Sequence, residues 1–133
     1  MRAEAFYRKV MDTIGDEDRP GAVRATAAVF HALRDRITPD EADQLCAQLP
    51  TALKEIWEQG DTAERKPVKM HREDFYERVS EEAKVPRREA RRVSLAVFAV
   101  LKKQLSPGEA EDVCSQLPKD LKDLWAESES PWA

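Results

Sequence analysis

Arg87, Arg88 and Arg91 are the residues best suited to chemistry, standing where Pro86-Arg87-Arg88 leads into a long helical segment. Free N–H groups at a helix start, together with guanidinium forks, suit phosphate or carboxylate. From Lys84 to Lys103 there are seven basic residues and one acid, Glu89. The functional reading is a site for an anion or an anionic partner. Arginines in a first helical turn also oppose the macrodipole, by about 0.3–1 kcal/mol each. The competing reading therefore pairs them with acids of the first half of the chain or of a second subunit. Arg92 is matched by Arg24 in an internal repeat and is assigned to structure.

Other reactive side chains are sparse. His31, His71, Cys46 and Cys114 lie far apart and form none of the close ligand pairs of a metal site. No metal, cofactor or catalytic residue is expected, and the chain reads as a non-enzyme. His31 has no Ser, Cys or paired acid beside it, so it reads as a boundary residue rather than a base. The cysteines are expected to pack inward as thiols. Trp57 and Trp125 are expected to close the end of each helical set. Because Trp is favoured at interfaces, they are the second candidate for a binding surface.

These residues must be positioned by helices. The chain has 133 residues, 41% hydrophobic and 36% charged, with only four glycines. Ala, Leu, Glu, Arg and Lys dominate and β-branched runs are scarce, which favours helix. The net charge of −4 weighs against a dedicated nucleic-acid or anionic-membrane binder. A protein partner or self-association is expected ahead of nucleic acid. The longest nearly apolar run, Val93 to Leu101, is far short of a membrane span and reads as a central buried helix. The opening MRAEAFYRKV lacks a signal peptide's apolar core, and a cytoplasmic location is expected.

Aligned without a gap, Ala22–Trp57 and Ala90–Trp125 share 16 identities in 36 positions, against about two or three for unrelated segments of ordinary composition. The expected fold is all-α: a tandem duplication of a roughly four-helix unit, about eight helices, with halves related by a pseudo-two-fold. Residues 1–60 form repeat one, 61–70 a linker, 71–126 repeat two and 127–133 a frayed tail, with both repeats packed as one unit. Thr38-Pro39-Asp40-Glu41 and Ser106-Pro107-Gly108-Glu109 read as capping boxes, with the hydroxyl at the cap, Pro at the first helical position and Glu reaching back. Gln48-Leu49-Pro50 and Gln116-Leu117-Pro118 read as corners between helices, their glutamines bonding exposed backbone at the same corner.

The run Leu33-Arg34-Asp35-Arg36-Ile37-Thr38-Pro39-Asp40-Glu41-Ala42, followed by Ala47-Gln48-Leu49-Pro50, resembles a bacterial domain-of-unknown-function family, number 2267. Leu101 to Pro118 repeats the pattern more loosely. The resemblance implies a small bacterial helical protein and no particular reaction. Two functions follow from the residues: a non-enzymatic interaction or oligomerisation module, or a binder of nucleic acid or another anion through the Arg87–Arg92 helix start.

Overall fold

Hydroxyls and prolines stand at most of the helix starts. In the computed structural model, which describes residues 1–128, the chain forms α1 (Ala3–Ile14), α2 (Arg19–Arg36), α3 (Pro39–Cys46), α4 (Thr51–Glu58), α5 (Arg72–Ala83), α6 (Ala90–Gln104), α7 (Pro107–Ser115) and α8 (Lys119–Glu127). A 3-10 turn, Arg87–Glu89, precedes α6. No strand occurs among the described residues. None of these helices is long and apolar enough to cross a membrane.

Thr38 and Ser106 cap α3 and α7, each with its hydroxyl accepting from the N–H three residues on, at 3.2 Å. Pro39 and Pro107 follow at the first helical position. Asp18 caps α2, accepting from the Gly21 N–H at 2.9 Å, so this helix starts at Arg19. Gly15 ends α1 in the left-handed region at φ 85°, and Lys84 holds the corresponding place after α5 at φ 59°.

Phe6 meets Phe30 with ring centroids 5.7 Å apart, and Phe30 meets Trp57 at 5.4 Å. In the second half Phe75, Phe98 and Trp125 form the same chain, at 5.6 and 5.0 Å. Trp57 and Trp125 are 1% and 3% exposed. Their proposed role as a binding surface is therefore corrected: each indole is buried against a Phe as part of the core. Burying so large an apolar ring inside the core outweighs leaving it for an interface.

The halves interlock. α1 packs on α6, and α5 packs on α2 in the broadest helix contact of the fold. α6 is the central helix. Every side chain from Val93 to Leu101 is buried except Leu95, which is half-buried against the core.

The segment assigned as a linker, 61–70, is fastened to α2 and the residue that follows it. Val68 N–H donates to the Asp35 carbonyl at 2.7 Å, Arg65 donates to the Ile37 carbonyl at 2.9 Å, and Met70 is buried. Arg34, itself buried, donates to the Trp57 and Gln59 carbonyls, both at 2.7 Å. Lys102 makes the matching bond in the second half, to the Trp125 carbonyl at 2.6 Å. Of the expected tail 127–133, Glu127 ends α8 and Ser128 is buried. Residues 129–133 lie outside the described residues.

Candidate functional site

The basic helix start is not a cluster of free cations. Arg87 pairs with Glu73 of α5 and lies 4.9 Å from the Tyr76 ring centroid. Arg91 pairs with Glu127 of α8. Both acids lie on helices of the second half, so the expected pairing with the first half or another subunit is corrected. Arg87 and Arg88 also sit in the 3-10 turn, ahead of the α-helix. Arg88 is exposed and makes no ion pair among the described residues. Two of the three expected anion ligands thus already hold a carboxylate of their own half.

Arg92 and Arg24 have a different task. Arg92 donates to the Ile14 carbonyl at the end of α1, and Arg24 donates to the Ala83 carbonyl at the end of α5, at 3.3 Å. Each long helix thus satisfies the last carbonyls of the other half's first helix, where a cation also suits the dipole. Between the two arginines lies a cleft of about 350 Å³. Met11, Ile14, Ala25, Val85 and Val93 give it an apolar lining, and Lys84, Asp16, Asp18 and Glu89 join the arginines around it.

His31 ties three helices together. Its Nδ1 lies 2.6 Å from Glu82 of α5 and its Nε2 lies 2.7 Å from the Ile56 carbonyl of α4. Both ring nitrogens are engaged, which fixes the orientation of the ring. Cys46 and Cys114 are free thiols. Burial and a 3.4 Å contact with Glu58 push the Cys46 thiol up to about 12, which suits a packed side chain and not a nucleophile.

A second cluster forms where α3 meets α7. Only half of each expected capping box is present. The Thr38 N–H donates to Gln116 Oε1 and the Ser106 N–H donates to Gln48 Oε1, both at 2.8 Å. The glutamines therefore cap the opposite half's helix, not their own corner. Glu41 and Glu109 are released from capping and turn toward each other, each 7% exposed. Burial, then the facing Glu41, pushes Glu109 up to about 8. With Asp112, their carboxylate oxygens lie within 4.8 Å of one another. Identity between the two halves is the only sequence signal for this pair, and it does not show that the two copies touch.

The profile of an uncharacterized conserved protein family (DUF2267) matches residues 3–124. The chain belongs to the DUF2267 family. The match runs from the start of α1 into α8, so the DUF2267 unit takes in both halves, the cleft and the carboxylate cluster. No curated protein matches the chain.

Proposed function

We propose that the chain is a non-enzymatic protein-interaction module that receives its partner in the cleft between Arg24 and Arg92. The observation that carries this reading is the lining: apolar side chains together with three cations, Arg24, Lys84 and Arg92, and three anions, Asp16, Asp18 and Glu89. A surface that mixes apolar area with charges of both signs suits a protein partner. A rim of balanced charge lacks the positive field that phosphate backbones require. The pairing of Arg87 and Arg91 with Glu73 and Glu127 favours the same choice. A cytoplasmic location belongs to this proposal, supported by two unbonded cysteines.

We also infer that the halves are related by an approximate two-fold axis. Its support is the reciprocity of their contacts: Arg24 and Arg92 exchange equivalent bonds, as do Gln48 and Gln116. Such reciprocity is the mark of an isologous contact.

The test is capture of a partner from the native host, followed by calorimetry with the purified partner and the variant Asp16→Lys/Lys84→Glu. Weakening of about tenfold or more, equivalent to about 1.4 kcal/mol, is the expected result. Unchanged affinity overturns the cleft as the contact. Salt-sensitive nucleic-acid binding that is lost in Arg87→Gln/Arg88→Gln/Arg91→Gln overturns the protein-partner reading in favour of the anion site.

A further inference from the structure

We propose that Glu41, Glu109 and Asp112 form a site for a hard divalent cation that clamps α3 to α7. The glutamate oxygens Glu41 Oε2 and Glu109 Oε2 are buried and have no hydrogen-bond partner. Both side chains are more than nine-tenths buried. Their ordinary task at this position, accepting from the cap N–H, is performed by Gln116 and Gln48 of the opposite half. Each glutamate is thus left with one buried oxygen that no donor satisfies, where the two side chains meet.

Asp112, exposed and on α7, adds a third carboxylate to the same spot. An all-oxygen donor set, carboxylate throughout once the proton shared by Glu109 and Glu41 is displaced on binding, selects Ca²⁺, Mg²⁺ or Mn²⁺ over softer metals. The N-termini of α3 and α7 stabilise each carboxylate singly but do nothing for the repulsion between them. A dication takes the place of the proton that otherwise relieves this repulsion, and ties together two helices from different halves. With three protein carboxylates and the remaining positions left to water, affinity falls in the weak range of about 10⁻⁴–10⁻³ M.

The experiment is thermal unfolding of the full chain, stripped with chelator and titrated separately with CaCl₂, MgCl₂ and MnCl₂ at constant ionic strength. The expected result is a saturable rise in Tm of about 5 °C at about 10 mM with at least one cation. The rise disappears in Glu41→Gln/Glu109→Gln and shrinks in Asp112→Asn, whose exposed side chain can change without disturbing the core. Far-UV circular dichroism establishes that both variants fold. Absence of a saturable rise, or a rise of equal size in both variants, overturns the site.

Discussion

Cys46 and Cys114 are matched in sequence, yet their surroundings differ: Cys46 is buried beside Glu58, while Cys114 is half-buried. A thiol raised to about 12 stays protonated, and so unreactive, at about pH 8. A disulfide reagent at that pH is expected to modify Cys114 first, with Cys46 reacting only after denaturation. Mass spectrometry of the labelled peptides reads the order directly. At Glu109 the consequence is for stability. Its folded value, about 8, lies above the ordinary 4.5, so the native state holds a proton that the unfolded chain has released. That contribution is complete below about pH 4.5 and is lost as pH rises through about 8. In chelator, denaturant unfolding of the wild type is expected to show stability falling between about pH 5 and 9. Glu109→Gln, which has no proton to lose, is expected to flatten the decline.

Helix ends carry the next set of consequences. Gln48→Ala and Gln116→Ala each leave a cap N–H without its acceptor, at an expected cost of about 1–3 kcal/mol in denaturant unfolding. A local capping box would be insensitive to both changes. Lys84, the one non-glycine residue at positive φ among those described, ends α5 where Gly15 ends α1. Lys84→Gly is expected to stabilise the fold by about 1 kcal/mol by removing Cβ strain, seen as a higher denaturation midpoint. The hydroxyl caps, the prolines and the Leu-Pro corners are legible in the sequence because each acts within four residues. The destinations of Gln48 and Gln116 are not, because their partners lie 58 and 78 residues away.

On the scale of the whole molecule, neither half covers its own core. α1 lies on α6 and α5 on α2, so separating the halves exposes apolar faces on both sides. A fragment of residues 1–60 is expected to be largely unfolded, or to associate as concentration rises, and circular dichroism with sedimentation distinguishes these from a stable monomer. Mixing it with residues 61–133 is expected to restore helicity. Outright independent folding of the fragment would show that the interlock is dispensable.

The helical class, the caps at Thr38 and Ser106 and the family membership, which the family match bears out, are legible in the chain alone. Those features depend on composition, short spacing and residue identity. That Trp57 and Trp125 are core, that Arg87 and Arg91 are paired within their own half, and that Glu41 faces Glu109 emerged from the packed fold. The physical reason is the same in each case. Burial and partnership depend on which distant segment arrives, and identities between two halves of a chain do not state how those halves meet.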